Sequence, residues 1–214
     1  MELKTIVPEY YSKNILIRNL FLRRLHLAIQ LALPFLKLND KLNIVDLGCG
    51  DGTFLRMLEK NFKNINTFGI DILPEVLAIK NFLRAEIKIR DLRNTNFPDN
   101  FFDIVFCLDT LEHFKNLEEP VREIKRILKN NGLLIISAPT ENLFYKLGRL
   151  FMKGTMSMEK GPCAGPHFQN AKTIEKFLLS HSFNIIQKIS LPSFLFLTLF
   201  NIVSFKKQLI NNHI

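Results

Sequence analysis

The stretch Ile44-Val45-Asp46-Leu47-Gly48-Cys49-Gly50-Asp51-Gly52-Thr53-Phe54-Leu55 decides the fold of this 214-residue chain. Apolar residues run into an acidic one, Asp46. Glycines then hold every second position until a helical apolar pattern begins at Phe54. A continuous apolar run closed by turn residues reads as a strand buried on both faces, as in a parallel sheet. The glycines let the following turn take backbone angles closed to other residues, and let a ligand lie against the main chain. The stretch predicts a nucleotide-type binding turn between a first strand and a first helix. A dinucleotide fingerprint would need its third glycine where Thr53 stands, and a P-loop would need a lysine that is absent.

Working outward, three more acidic positions close apolar runs. Residues 65–71 predict a second strand ending at Asp71, one strand–helix–strand unit after Asp46. A carboxylate there can accept from both hydroxyls of a ribose. Residues 85–90 read as a third strand closed by Asp91-Leu92. Residues 101–108 read as a fourth, followed by Asp109-Thr110-Leu111-Glu112-His113-Phe114. Residues 126–139 read as the end of a helix, a turn and a fifth strand, and 183–190 as a sixth.

In this order the motifs resemble those of the class I S-adenosylmethionine (SAM)-dependent methyltransferases over residues 40–140, and more weakly over 167–190. Leu111-Glu112-His113 is similar to the branch that includes ubiquinone- and menaquinone-biosynthesis enzymes. The resemblance implies an α/β fold, a doubly wound, mostly parallel sheet of seven strands, with SAM as cofactor. It implies that Asp46, Gly48, Cys49, Gly50 and Gly52 surround the methionine end, and that Asp71 and Ile72 meet the ribose. Asp91 and Leu92 would meet adenine, and Leu108 and Asp109 would line the pocket by backbone. His167, in Gly161-Pro-Cys-Ala-Gly-Pro-His167, resembles the Gly-x-His loop that closes over substrate in quinone O-methyltransferases. A base is needed only if the acceptor must lose a proton. His113 and His167 are the candidates, with Glu112 orienting His113 or touching substrate.

Composition fits one domain over residues 1–214: an N-terminal helical lid (1–41), a cofactor core (42–141) and a substrate-side cap (142–214). Three scattered cysteines give neither a disulfide framework nor a C-x-x-C spacing, so no metal and a reduced, cytoplasmic setting are expected. Cys107 reads as a small core residue and Asp103 as a surface position. The first eight residues lack the regions of a signal peptide. The net charge of +9 is uneven: +4 over residues 1–41, −2 over 42–141 and +7 over 142–214.

Both flanks raise the question of a membrane. Over residues 12–36, Asn19, Arg23, His26 and Gln30 share one helical stripe, leaving a broad apolar face. That helix either packs over the sheet as a lid or lies at a bilayer, with Arg18, Arg23 and Arg24 snorkelling. At the other end, residues 189–205 carry no charge and precede Lys206-Lys207. The run is too short and too polar for a confident span. It reads as an irregular seventh strand, or as an apolar surface helix docking at a bilayer or around a lipid chain. A small-molecule or lipid-linked acceptor suits these flanks. The fourth-strand segment lacks the Asn/Asp-Pro-Pro-aromatic element of base-amine methylating enzymes, and Pro162-Cys163 falls too late for an RNA cytosine enzyme, which argues against nucleic acid. A non-catalytic, SAM-binding partner subunit is the remaining alternative.

Overall fold

A computed structural model describes residues 7–38, 41–153, 166–192 and 198–208. Seven strands form one sheet in the order β3-β2-β1-β4-β5-β7-β6. They are β1 (Leu42–Leu47), β2 (Ile65–Asp71), β3 (Glu86–Ile89), β4 (Phe102–Leu108), β5 (Leu128–Pro139), β6 (Phe183–Leu191) and β7 (Phe200–Lys207). The first five run parallel, and β7 is antiparallel to both its neighbours. In register, Asp46 lies beside Gly69 of β2 and Phe106 of β4. The carboxyl ends of β1, β2 and β4 therefore reach one edge together. In open α/β sheets ligands bind along that edge.

The described residues form five α-helices, α1 (Ile15–Leu38), α2 (Thr53–Asn61), α3 (Glu118–Ile127), α4 (Leu143–Lys153) and α5 (Ala171–Ser180), of which α1, α2, α3 and α5 pack on the sheet. Alternation along the strands sends side chains to two cores. On one face Ile44, Ile104, Phe106, Leu133, Ile135 and Ile202 pack with Leu25, Ala28 and Ala32 of α1 and Phe54 and Leu58 of α2. On the other, Val45, Val105, Leu134, Ile136, Val203 and Phe205 pack with Val121, Ile124 and Ile127 of α3 and Ile174 and Leu178 of α5. The expected stripe of α1 is correct, since Asn19, Arg23, His26 and Gln30 are all exposed. Its apolar face lies on the sheet.

Of the two readings of the C-terminal flank, the structure bears out the strand over residues 200–207. No surface helix forms there. The segment is the seventh strand, and from Phe200 to Phe205 it is buried. It looked unlike a strand because it is an inner one: Ile202 faces α1 and α2 while Val203 and Phe205 face α3 and α5. Strands covered on both faces read as continuous apolar runs, without alternation. Lys207 is no free basic residue either. Its Nζ donates to the Leu128 carbonyl at 2.7 Å and to Asn100 at 3.1 Å. Any docking through residues 193–197 lies outside the described residues, as does the Pro162-Cys163 pair. Among the described residues no helix is long and apolar enough to cross a membrane.

Candidate functional site

The turn after β1 is built by its glycines. Gly48, Gly50 and Gly52 have φ of +84°, +51° and +72°, in the left-handed region that side chains disfavour. Space excludes side chains as well. A Cβ on Gly48 would sit 2.3 Å from Oγ1 of Thr110, and one on Gly52 would sit 2.6 Å from Ile79 Cδ1. The turn is tied to β2 by N–H groups of Gly48 and Cys49, which both donate to the Ile70 carbonyl at 2.8 and 2.9 Å. Gly50 N–H donates to Asp71 Oδ2 at 2.9 Å, and Leu73 N–H to Asp71 Oδ1 at 3.0 Å. Each carboxylate oxygen keeps further acceptor capacity, so Asp71 can brace the turn and still receive hydroxyls.

This edge opens into a cavity of about 640 Å³, within the usual range for small-molecule sites. Asp46, Gly48, Cys49, Gly50, Asp71, Ile72, Asp91, Leu92, Leu108 and Asp109 all line it. So do Glu112, His113 and His167, which places every sequence-predicted site residue except Gly52 on one cavity. Gly52 instead starts α2 as its left-handed cap. Asp46 is buried, and its Oδ1 has no hydrogen-bond partner among the described residues. Burial first, then the nearby Asp71 and Asp51 carboxylates, push its carboxyl up to about 8. Asp91 is held by Arg93, whose Nη2 lies 2.6 Å from Oδ2. That hydrogen bonding keeps the Asp91 carboxyl below its ordinary value.

Two positions take roles the sequence did not suggest. Asp109, which the motif reading gives a backbone role, lines the cavity, and its carboxylate in addition pairs with Arg24 and accepts from Ser137 Oγ at 2.8 Å. Arg24 was placed among snorkelling residues. It is 2% exposed, and its guanidinium lies over the rings of Phe21 and Phe200, 4.8 and 4.7 Å from their centroids. The Tyr10 hydroxyl sits 3.5 Å from Arg24 Nη2, and burial is the main reason its phenol is raised. Among the lining residues, Tyr10, Arg24 and Tyr145 stand outside every motif, and Asp51 and Thr110 stand inside motifs without an assigned role. For Arg24, the only available signal was a charge on the apolar side of an otherwise regular stripe.

The far end of the cavity gathers Glu112, His113 and His167. The short helical turn Leu111–His113 follows β4, and the segment before α5 is laced onto it. Phe168 and Gln169 N–H groups both donate to the Glu112 carbonyl, at 2.7 and 3.2 Å, and Gln169 Nε2 donates to the Phe114 carbonyl at 3.2 Å. The two imidazoles thereby meet edge to face with centroids 5.0 Å apart. His113 Nδ1 lies 3.1 Å from the Pro166 carbonyl, and His167 Nδ1 lies 2.7 Å from Glu141 Oε1. A carbonyl can only accept, so Nδ1 of His113 carries the hydrogen and its lone pair is on Nε2. Burial holds the His113 imidazole below its ordinary value and so favours the neutral ring. Glu112 is 1% exposed with Oε2 unpartnered, and burial pushes its carboxyl well up. Cys107 and Asp103 behave as structural residues. Cys107 is buried, and Asp103 accepts from Asn43 N–H and Lys129 Nζ.

A family described as "Methyltransferase domain" matches residues 18–188. The chain belongs to the class I SAM-dependent methyltransferases. The matched span runs from α1 to β6, so in this methyltransferase the N-terminal helix is part of the family fold rather than an appendage. The ubiquinone biosynthesis O-methyltransferase of Rickettsia typhi is 32% identical over 125 residues, covering 52% of this chain and 48% of that protein. A tRNA U34 carboxymethyltransferase of Nautilia profundicola is 32% identical over 108 residues, covering 48% of this chain and 36% of that protein. The chain thus matches about half or less of the length of these curated relatives. In fold, the N-methyltransferase NodS of Bradyrhizobium japonicum, solved with S-adenosyl-L-homocysteine, gives a TM-score of 0.68 at 14% identity, covering 97% of this chain and 95% of that one. The cofactor of the family is SAM, and the methyltransferase cavity fits it: a bare glycine turn, an unpartnered buried carboxylate and two strand-end aspartates share its wall.

Proposed function

We propose that this domain transfers the methyl of SAM to a small-molecule or lipid-like acceptor held beside Glu112, His113 and His167. The carrying observation is that one cavity runs without a break from the glycine turn to the paired histidines. Its cofactor half is lined by main chain and carboxylates; its acceptor half adds Phe21, Phe114, Tyr145, Leu199 and Phe200. When bound, SAM supplies a methyl on a cationic sulfur, and the protein's task is then largely alignment. In this reading Asp46 and the bare main chain at Gly48, Gly50 and Gly52 hold the methionine end. Asp71 takes the ribose hydroxyls, Asp91 and Leu92 the adenine, and Leu108 and Asp109 form the wall beneath. The His113 imidazole at the far end, which burial favours in its neutral form, suits an acceptor that must lose a proton.

Support for a lipid-like acceptor comes from the rim. Ile15 and Leu16 at the start of α1 and Leu143 and Phe144 on α4 are exposed, and both helices contribute lining residues. An apolar rim of this kind suits peripheral contact with a bilayer. The burial of Lys207 and the pairing of Lys188 with Glu175 weigh against an RNA-binding arm built on these lysines. The test supplies purified protein with radiolabelled SAM and three extract fractions: lipid, RNA and soluble metabolites. Label in lipid or metabolites, lost in Asp71→Ala, is expected. Label in RNA would replace the acceptor class, and no label in any fraction with no SAM binding would overturn the reading.

A further inference from the structure

The acceptor end carries more than a pair of bases. One donor atom from each of Glu112, His113 and His167 lies within 4.8 Å of the other two. Nitrogen and oxygen ligands about 2.1 Å from a common ion sit roughly 3–4 Å apart, so modest side-chain adjustments would bring these three onto one centre. The surroundings match what a metal centre requires. Metal-binding imidazoles donate their other nitrogen to a carboxylate or a backbone carbonyl, which fixes the tautomer and the ring. Here His113 has the Pro166 carbonyl and His167 has Glu141 in that position. Independently, Glu112 Oε2 is buried on the cavity wall with no hydrogen-bond partner among the described residues. A lone carboxylate oxygen out of water is costly unless a cation or donor meets it.

We propose that Glu112, His113 and His167 bind one divalent transition-metal cation at the acceptor end of the cavity, with Glu141 as the positioning residue for His167. Two imidazoles and one carboxylate suit zinc, iron, cobalt or manganese better than magnesium, which prefers oxygen throughout. Three protein ligands leave a position open toward the cavity, as in catalytic rather than structural sites. A cation there would fix and polarise an acceptor oxygen or nitrogen beside the methyl donor. The acceptor's place on the ion rests on the methyl-transfer reading; binding of the ion does not. Sequence spacing gave no hint of it, because His167 reaches the site only through the lacing of residues 168 and 169 onto Glu112.

The test uses full-length, tag-free protein stripped with a chelator. It is titrated with Zn²⁺ by calorimetry and with Co²⁺ by visible absorption, with SAM affinity measured on the same samples. One ion per chain and a ligand-field band for Co²⁺ are expected. Glu112→Gln, His113→Ala and His167→Ala should each weaken binding by roughly tenfold or more, and Glu141→Gln by about 10–100-fold as a removed outer partner. His181→Ala, at the end of α5 and paired with Glu118, should bind as the wild type does. Circular dichroism separates a lost site from a lost fold, and the wild-type titration stands regardless of how the variants behave. Absence of stoichiometric binding, or binding undiminished in His113→Ala/His167→Ala, would overturn the site. Normal SAM binding without an ion would leave the methyl-transfer reading intact, and an ion without SAM binding would do the reverse.

Discussion

Replacing Asp46 by Asn should make the ligand-free protein more stable while weakening its grip on SAM. The carboxyl lies between the glycine turn and the sheet, buried and with Oδ1 unpartnered. Its folded value is pushed up to about 8 from 3.8, by burial before any neighbouring charge. Near pH 7 the unfolded chain carries this residue ionised, whereas the folded chain must hold it mostly protonated. A gap of about three pH units corresponds to roughly 4 kcal/mol against folding. Asn needs no proton, but its amide desolvation takes back ~1–3 kcal/mol. A net gain of about 2 kcal/mol is expected, or roughly 4–8 °C in Tm for a chain of this size. The pH dependence has a definite sign. Between about pH 4 and pH 8 the folded state binds a proton that the unfolded state does not, so wild-type stability falls as pH rises through that window. Asp46→Asn should lack this slope, and its advantage should widen from about pH 5 to about pH 8.

SAM binding should show the same group in reverse. A cationic ligand beside Asp46 favours the ionised carboxylate, so binding near pH 7 should release close to one proton. Calorimetry in two buffers of different ionisation enthalpy reads that number directly. Wild-type affinity should rise from about pH 6 to about pH 8, while Asp46→Asn should be ~10-fold or more weaker and nearly flat with pH. A variant no more stable than wild type, with unchanged SAM affinity, would refute both the burial argument and the placement of the methionine end.

Arg24→Leu should cost about 3 kcal/mol in urea unfolding, because it strands Asp109 and removes the guanidinium between Phe21 and Phe200; a loss under ~1 kcal/mol would show that the buried pair is not a structural tie. Gly48→Ala should abolish SAM binding and lower Tm, since the added Cβ meets Thr110 at 2.3 Å on a backbone already at φ +84°; near-normal binding would show that the turn can relax. Leu16→Glu combined with Leu143→Glu should reduce co-sedimentation with anionic vesicles without altering SAM affinity, whereas undiminished pelleting would remove the exposed ends of α1 and α4 as the docking rim.

What the sequence made legible follows from period and local chemistry. The boundaries of β2 and the course of the first four strands could be read because each apolar run closes on or just before an acidic residue, Asp46, Asp71, Asp91 or Asp109. Gly48, Gly50 and Gly52 announced a backbone geometry that few other residues tolerate. The seventh strand was obscured by its own burial: Phe200 to Phe205 face helices on both sides, and a two-sided core erases the alternation that marks a strand. Amphipathicity in α1 correctly separated its exposed stripe, but a single apolar face cannot distinguish a sheet from a bilayer. Arg24 shows the limit most clearly. Its partner Asp109 lies 85 residues away, so neither end of the pair could be predicted without the fold.

The charge of the cavity ties the cofactor end and the acceptor end together. The chain is basic overall, yet among the lining residues seven carboxylate side chains face three arginines. Of those arginines, Arg24 is committed to Asp109 and Arg93 to Asp91. A polyanion such as an RNA backbone would meet an acidic interior, whereas a ligand with a cationic sulfur and an ammonium group is favoured. The excess acidity is also concentrated rather than spread. Among the described residues, Asp46 and Asp51 at one end and Glu112 at the other each keep a buried oxygen without a partner. Each orphan of this kind disfavours the ligand-free fold by ~1–3 kcal/mol, and by more where, as at Asp46, a proton must also be taken up. On the proposed reading these groups await two positive centres, the cofactor's amino acid end near Asp46 and a metal cation near Glu112. If only one of them is real, Asp46→Asn and Glu112→Gln will part company. Only the variant at the real centre should lose affinity for its cation, while the other should change stability alone.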